Sequence, residues 1–131
     1  MAKKTAGLVE EITIIGPTGK EFKYNAIFDT GATRTSVDIS IAKKLELGPI
    51  LGSVRVKSKT ASAGYVRRLE VPCKIKIQGT TYDVVVNITD RRDMFTKALI
   101  GRNIIHENFI VDISKTHTTP DIKDMKTKNN S

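Results

Sequence analysis

The chain has 131 residues, 39% of them hydrophobic, which suits one globular domain with its own core. No apolar run approaches the roughly 20 residues that cross a membrane, and residues 1–8 lack the apolar core of a signal peptide, so we expect a cytoplasmic protein. The single cysteine, Cys73, excludes an intrachain disulfide and agrees with a reducing compartment.

The net charge is +8, from 22 Lys and Arg against 14 Asp and Glu. Such a surface attracts acidic partners, which include nucleic acid, anionic lipid and acidic peptides. The positive residues are scattered along predicted strands, and only 5% of residues are aromatic, so a base-stacking surface is poorly supported. Solubility alone also explains much of the charge, and we expect no nucleic-acid partner.

Residues 8–15 and 21–28 predict two strands joined by a tight turn. The first segment is rich in Val, Ile and Thr, and the second alternates apolar and polar side chains with the period of a half-buried strand. The Gly-Pro-Thr-Gly sequence at residues 16–19 between them is a turn signal.

The second strand leads directly into Asp29-Thr30-Gly31. An acid at the end of an apolar strand is costly unless it is hydrogen-bonded or functional. Gly31 allows a tight turn and the close approach of another chain, and the Thr30 hydroxyl can bond a neighbouring backbone group. These three residues alone leave two interpretations open: a turn aspartate without chemistry, and a catalytic carboxylate.

A short helix is predicted at residues 38–45. Asp38 is a suitable N-cap, Ile41 and Leu45 lie on one helix face, and the Gly-Pro sequence at residues 48–49 ends the helix.

Two hairpins and a few short elements are predicted after this helix. The hairpins are formed by residues 53–59 and 65–71, with a tip of small residues at 60–64, and by residues 73–77 and 82–88. The remaining elements are a charged loop from residue 89, an apolar segment at 98–101, a short helix at 102–107 and a strand at 109–113. Residues 118–131 are too polar to order themselves, so we predict a domain at 1–117 and a flexible C-terminal tail.

Two segments resemble the two halves of the signature of retropepsin-like aspartic peptidases. The Asp-Thr-Gly sequence at residues 29–31 resembles the catalytic loop of that family. The sequence Ala-Leu-Ile-Gly-Arg-Asn-Ile-Ile at residues 98–105 resembles the segment that packs under this loop. The residues between the two segments leave room for a flap hairpin.

The resemblance implies an all-β fold, a small closed β-barrel with a flap hairpin and one or two short helices. The residues that it implies as catalytic are Asp29, Thr30 and Gly31. Those that it implies as support of the catalytic loop are Leu99, Ile100, Gly101 and Arg102. The expected substrate-binding residues lie next to the catalytic residues, at the flap tip and in the charged loop. They are Ala32, Ser62, Ala63, Gly64, Tyr65, Arg91, Arg92 and Lys97.

Further residues, among them Thr35 and Ser36, resemble a prokaryotic retropepsin-like family whose members are often labelled putative ATP-dependent zinc proteases and lie near ATP-grasp glutamate ligases. The zinc label finds no support in this sequence, which has only two histidines, His106 and His117, and no His-Glu-x-x-His. No phosphate-binding glycine loop appears either. We therefore expect no metal and no cofactor.

Aspartic peptidase chemistry requires two carboxylates that share one proton, because like charges a few ångströms apart cannot both ionise. The chain contains one Asp-Thr-Gly sequence, so the second carboxylate must come from a second copy. We therefore expect a homodimer with two Asp29 residues near its two-fold axis. Viral members carry an acid at the position of Thr33 that pairs with the equivalent of Arg102, so the sequence leaves open how this dimer is built.

The charged loop suggests a preference for acidic peptides. Arg91, Arg92 and Lys97 can face a bound peptide, and Arg67 and Arg68 of the flap can cover it from the other side. Alternatively, acids of the same loop neutralise its arginines and only shape it. The rival function is a catalytically silent retropepsin-like module that dimerises or binds an acidic peptide.

Overall fold

The computed structural model describes residues 2–116 of the chain, so His117 and the predicted tail lie outside the described residues. The strands of this part, in chain order, are β1 (Lys4–Gly7), β2 (Val9–Ile15), β3 (Glu21–Phe28), β4 (Ser36–Asp38), β5 (Gly52–Lys57), β6 (Tyr65–Ile77), β7 (Thr80–Thr89), β8 (Ala98–Ile100) and β9 (Phe109–Asp112). The helices are α1 (Ile39–Lys44) and α2 (Arg102–Ile105). Among residues 2–116, no helix has the length and apolar character needed to cross a membrane.

Six strands form a closed barrel. Their order is β2-β3-β8-β4-β7-β6, and β6 pairs again with β2, which closes the sheet on itself. β5 pairs with the outer part of β6 and extends from the barrel as a hairpin, while β1 and β9 form a separate parallel pair. The predicted all-β architecture with two short helices is confirmed.

The first hairpin forms as predicted. β2 and β3 pair in antiparallel register from Val9 opposite Ile27 to Ile15 opposite Glu21. The turn between them places Gly19 at φ +91°, in the left-handed region that glycine adopts at little cost. This register carries β3 straight to the Asp-Thr-Gly sequence.

The barrel interior is filled with aliphatic side chains, and aromatic rings join it to the β1–β9 pair. The Phe28 and Phe109 rings meet edge to face with centroids 5.5 Å apart. Ile41 and Leu45 are buried, which confirms the predicted apolar face of α1. Other large buried residues of the core are Ile12, Ile14, Val37, Val71, Ile75, Ile77, Val86, Ile100 and Ile104.

The predicted break at Pro72 is wrong, because β6 runs unbroken through this residue, which pairs with Val85 of β7. Proline lacks a backbone N–H and is tolerated where a strand edge needs no donor. On the other edge of β6, the pairing with β5 ends at Glu70 and the pairing with β2 begins at Lys74. Pro72 lies in the gap between these two pairings.

Element ends and one strand also differ from the prediction. α1 ends at Lys44, before the Gly-Pro sequence, and α2 ends at Ile105 because Glu107 adopts a left-handed φ of +67°. β1 was not predicted, since its short sequence has no strand pattern. It is a strand because it pairs with the distant β9, from Lys4 opposite Phe109 onwards.

Asp38 joins α1 to the charged loop that follows β7. It is 3% exposed, and its Oδ2 accepts a hydrogen bond of 2.9 Å from the Ser40 backbone N–H, as the predicted N-cap requires. Its Oδ1 accepts a short hydrogen bond from the Arg91 backbone N–H, and Lys97 Nζ lies 4.0 Å from Oδ2. Burial alone raises the pKa of Asp38, but the hydrogen bonds from Ser40 and Arg91 and the charge of Lys97 outweigh it and lower the pKa.

We expect Asp38→Ala to lower the free energy of unfolding by about 2 kcal/mol at neutral pH, because the cap is lost and the Arg91 N–H loses its acceptor. The pKa of Asp38 is lower in the folded chain than in the unfolded chain, where it is about 3.9. Its contribution is therefore fully present above that value and is lost as the pH falls through the folded-state pKa. Urea unfolding across this pH range should show wild type and variant converging in acid.

The matched control is Asp83→Ala, since the Asp83 side chain is 83% exposed and its carboxylate lies 4.0 Å from Lys74 Nζ. Its loss should change the free energy of unfolding by less than about 0.5 kcal/mol. Equal losses in the two variants would contradict the role given to Asp38.

Candidate active site

Asp29 lies at the start of the loop that joins β3 to β4. Its backbone N–H donates to Ile100 O at 2.9 Å, and its carbonyl accepts from the Ala32 N–H at 3.1 Å. Its Oδ1 accepts from the Gly31 N–H at 2.9 Å, so the loop itself orients the carboxylate. Asp29 is partly exposed and Thr30 is exposed at the loop tip. The arrangement presents one oriented carboxylate at the surface of the barrel.

The two halves of the sequence signature are adjacent in space. β8 lies between β3 and β4. It runs parallel to β3, with Ile100 opposite Phe28, and antiparallel to β4, with Leu99 opposite Ser36. The loop that carries Asp29 therefore crosses from one side of β8 to the other. This is why Leu99 and Ile100, which the sequence predicted as support, lie beneath it.

The buried Thr35 and the exposed Asn103 form a hydrogen-bond cluster under the loop. Asn103 Oδ1 accepts from the Thr35 N–H at 3.0 Å and from Thr35 Oγ1 at 2.7 Å. Thr35 Oγ1 in turn accepts from the Gly101 N–H at 3.1 Å, and Asn103 Nδ2 donates to Val85 O at 3.1 Å. Thr35 is fully buried, so these bonds replace the water that its polar groups lose.

Gly101 is required by the close approach of the loop. A Cβ atom at this position would lie 2.4 Å from Arg34 O, closer than Cβ atoms approach a neighbour, and would make a tight contact of 3.0 Å with Ala32 O. The next residue continues the contact, because the Arg102 N–H donates to Ala32 O at 2.8 Å.

Arg102 finds a partner within its own chain despite the absence of an acid at position 33. Its Nη2 donates to Thr33 Oγ1 at 2.9 Å. The hydroxyl accepts one hydrogen bond where a carboxylate would accept two with charge assistance, so this contact is the weaker of the two types.

The β5–β6 hairpin occupies the place of the expected flap. Its tip is closed by hydrogen bonds from the Ser58 N–H to Gly64 O at 3.1 Å and from the Gly64 N–H to Ala61 O at 2.9 Å. Gly64 has a φ of +79°, and Ser62 and Ala63 are exposed. The Arg55 guanidinium lies 3.8 Å from the Tyr65 ring centroid, which stiffens the hairpin near its tip.

The structure does not bring the three predicted basic residues of the charged loop together. Arg91 is buried, and its Nε donates to Thr96 O at 3.0 Å. Arg92 is exposed and lies 3.3 Å from the Asp90 carboxylate, while Lys97 approaches Asp38. Of the three, Arg91 alone lines the cavity next to the catalytic loop.

A cavity of about 370 Å³ lies between the loop that carries Asp29 and the β5–β6 hairpin. Its lining residues are Ala32, Thr33, Arg34, Ser36, Arg55, Val56, Lys57, Arg68, Asn87, Arg91 and Leu99. Sequence reasoning missed the contributions of Arg34, Ser36 and Asn87, since nothing local marks them. The closure of the barrel brings them to one place.

The cavity contains two arginines in an unusual environment. Arg68 Nε is buried without a hydrogen-bond partner among the described residues, and burial lowers the pKa of Arg68. Burial and the nearby Arg68 charge lower the pKa of Arg91, while Asp38 and Asp29 act in the opposite direction. Arg91 thus lies within electrostatic range of both Arg68 and the Asp29 carboxylate.

Metal binding finds no structural counterpart in residues 2–116, where no group of three or more His, Cys, Asp and Glu side chains is placed to hold an ion. Cys73 is buried and unpaired, and burial raises the pKa of its thiol to about 12.

We expect Thr35→Val to lower the free energy of unfolding by about 1–3 kcal/mol, because the Gly101 N–H and Asn103 Oδ1 lose a buried partner. Thr35→Ser keeps the hydroxyl and should lose less, so it is the matched control. Urea unfolding of both variants measures the difference. If the valine variant is as stable as the wild type, the hydrogen bonds of the Thr35 hydroxyl do not support the loop.

Comparison with known proteins gives one family and several similar structures. A family model described as aspartyl protease matches residues 12–104. No curated protein matches the chain.

The similar solved structures share the fold. A Legionella pneumophila protein of unknown function (DUF785) aligns with a TM-score of 0.61 and 22% identity over 89% of this chain and 98% of its own. The EIAV protease in complex with the inhibitor HBY-793 aligns with a TM-score of 0.59 and 18% identity over 76% of this chain and 85% of its own. The simian foamy virus (mac) protease aligns with a TM-score of 0.53 and 18% identity over 74% and 90%. These likenesses confirm the retropepsin-like fold.

Proposed function

The chain belongs to the aspartyl protease family, and we propose that it is an aspartic endopeptidase that acts as a homodimer. The observation that carries the proposal is the intact Asp-Thr-Gly loop. Its aspartate is partly exposed and oriented by the Gly31 N–H, and its backbone is held on Ile100. The bond from the Gly31 N–H also occurs in ordinary turns, so the proposal rests on its combination with the family match and with the second half of the signature beneath the loop.

A second chain supplies the second carboxylate in this proposal. Among the acids close to the site, Asp38 is buried and already accepts hydrogen bonds from Ser40 and Arg91, and Glu70 lies 3.7 Å from Arg34 Nε. Asp90 pairs with Arg92 on an exposed loop. A symmetric dimer that brings two Asp29 residues together is therefore the simplest way to complete the site.

The β1–β9 pair supports dimer formation. Parallel strands are normally covered on both faces, yet Ile110 and Ile113 at this pair are 58% and 76% exposed. In the described residues β9 pairs with β1 alone, so its other edge is open to a further strand. A second copy that adds its own β9 to this edge would extend the pair into a larger sheet and bring strand side chains of the second copy beside the exposed Ile110.

The catalytic steps follow from paired carboxylates that share one proton. The ionised carboxylate takes a proton from water, and the oxygen of that water attacks the scissile carbonyl carbon while the protonated carboxyl donates to the carbonyl oxygen. The tetrahedral intermediate then breaks its C–N bond: the leaving nitrogen receives the proton that the first carboxylate took from water, and one hydroxyl of the intermediate returns its proton to the second carboxylate as the new carbonyl forms. Thr30 braces the facing loop, Gly31 admits the substrate backbone, and Ala32 contacts the substrate beside it.

The β5–β6 hairpin covers the bound peptide in this proposal. Ser62, Ala63 and Gly64 at its tip present little side-chain bulk, which suits backbone contact with an extended substrate, and Tyr65 follows at the start of β6. Acidic peptides are the proposed substrates, because Arg91 lines the cavity beside the loop and the net charge of +8 steers anions toward the protein. We further place the protein in the cytoplasm, where the unpaired Cys73 thiol stays reduced.

We expect Asp29→Asn to reduce peptide hydrolysis by a factor on the order of 10⁴ or more while the fold persists, because the catalytic carboxylate is removed. Asp83→Asn, at an exposed site on the barrel, is the matched control and should retain full activity. Hydrolysis of a peptide library measures the activity of both variants and the wild type. The wild type is also assayed with EDTA, which should leave its activity unchanged. Activity that EDTA abolishes and zinc restores would refute the aspartic mechanism.

A folded dimer that neither cleaves peptides nor binds a statine-type inhibitor would instead support the silent binding module.

We expect the wild type to sediment at twice 14.5 kDa and Ile110→Glu to sediment as a monomer without activity. Ile50→Glu is the matched control, since Ile50 is 61% exposed and lies far along the chain from β9. Analytical ultracentrifugation at micromolar concentration gives the masses. An active monomer, or equal dissociation in both variants, would contradict the proposed interface.

A further inference from the structure

We propose that Arg68 and Arg91 form a carboxylate-binding subsite beside the catalytic loop, and that this subsite selects an acidic group in the substrate. The inference rests on the proposed peptidase function and deepens it, because it assigns specificity to one pair of residues. Arg68 becomes the specificity-determining residue, while Arg92 and Lys97 serve local ion pairs.

The first step is the unsatisfied state of Arg68. Its Nε is buried without a hydrogen-bond partner among the described residues, and no carboxylate of residues 2–116 forms an ion pair with it. A buried guanidinium N–H without an acceptor is costly, and a hydrogen bond to a carboxylate is stronger than one to a neutral acceptor. Arg68 lines two cavities, a second one of about 410 Å³ next to α1 and the one beside the Asp29 loop, and only the latter also contains Arg91.

The second step is the charge around Arg68. Arg91 lies close enough for the two positive charges to repel each other. Apart from Asp29, the acids Glu70 and Asp38 near the cavity already have partners. Glu70 lies 3.7 Å from Arg34 Nε, and Asp38 accepts hydrogen bonds from the backbone N–H groups of Arg91 and Ser40. A bound carboxylate would relieve the repulsion and satisfy the planar guanidinium groups in the geometry that suits them.

The third step is the position of the cavity. Ala32 and Thr33, directly after the Asp-Thr-Gly sequence, line it, and Ser36 and Asn87, joined by a 2.7 Å hydrogen bond, add polar groups to its lining. A carboxylate held there belongs to a group near the bond that Asp29 would cleave. Both an acidic side chain and the terminal carboxylate of a peptide offer this chemistry.

The register of the hairpin provides a matched control. Arg68 lies opposite Val54, whereas Arg67 lies opposite Arg55 on the other face of the two strands and donates to Ser53 Oγ at 3.2 Å. Arg67→Gln and Arg68→Gln therefore remove the same charge from neighbouring positions, but only the second changes the proposed subsite.

The test uses the inactive Asp29→Asn protein, so that binding is measured without cleavage. Three peptides of equal length are compared by fluorescence anisotropy: one with an internal Glu and an amidated C-terminus, one with Gln in its place, and the Gln peptide with a free C-terminal carboxylate. We expect the Glu peptide to bind about tenfold more tightly than the amidated Gln peptide. Tight binding of the free-terminus peptide instead would assign the subsite to a chain end.

Arg68→Gln should remove this preference, and Arg67→Gln should preserve it. Equal affinity of the Asp29→Asn protein for all three peptides would overturn the proposal. An equal loss of the Glu preference in the two arginine variants would also overturn it, because only long-range charge would then matter. Thermal unfolding confirms that each variant is folded.

A second readout does not depend on peptide affinity. Titration with N-acetylglutamate methylamide should shift the NMR resonance of Arg68 Nε–H, and the glutamine analogue should not; no shift with either compound overturns the subsite. Wild-type hydrolysis without a Glu preference would refute the subsite alone. A shifted Arg68 resonance in a protein that cleaves nothing would refute the peptidase function alone.

Discussion

The hydrogen bonds between the catalytic loop and the segment that follows β8 are the constraint on which the site depends. Residues 29–35 carry a partly exposed acid and little apolar surface of their own, and fixing each residue of such a loop costs about 1–2 kcal/mol of conformational entropy. Contacts from Asp29 to Ile100, from Ala32 to Arg102 and from Thr35 to Asn103 offset that cost. Since β8 is enclosed by β3 and β4, the support is as rigid as the barrel itself.

The same scaffold extends from the catalytic loop to the cavity that we assign to substrate. β4 follows the loop directly and ends at Asp38, which caps α1 and holds the Arg91 backbone. Thr96 in turn accepts hydrogen bonds from the Arg91 side chain. The position of the Arg91 guanidinium is therefore set by the strand that follows the catalytic loop, and the cavity and the carboxylate are held in a fixed relation to each other.

Local sequence patterns predicted the parts of the fold that local forces determine. The Gly19 turn and the Asp38 cap depend on neighbouring residues and formed as expected, and the alternation in β3 holds at Ala26 and Phe28 but not at Phe22, which is 42% exposed. β1 and the continuity of β6 through Pro72 depend instead on strands far along the chain, which no local pattern reports. For the site, the signature located the loop and its support, but the inward side chains of the cavity follow from strand register and barrel closure.

The same geometry determines which parts of the proposed site one chain supplies and which parts need two chains. One chain contains a complete cationic cavity, lined by Arg68 and Arg91, but a single Asp29. A two-fold axis through paired Asp29 residues would place one cavity on each side of the carboxylates. A peptide has a direction, so the two equivalent cavities would meet residues on opposite sides of the cleaved bond. Selection at both cavities would then favour substrates with acidic groups on both sides, and a chain of consecutive acidic residues would satisfy both at once.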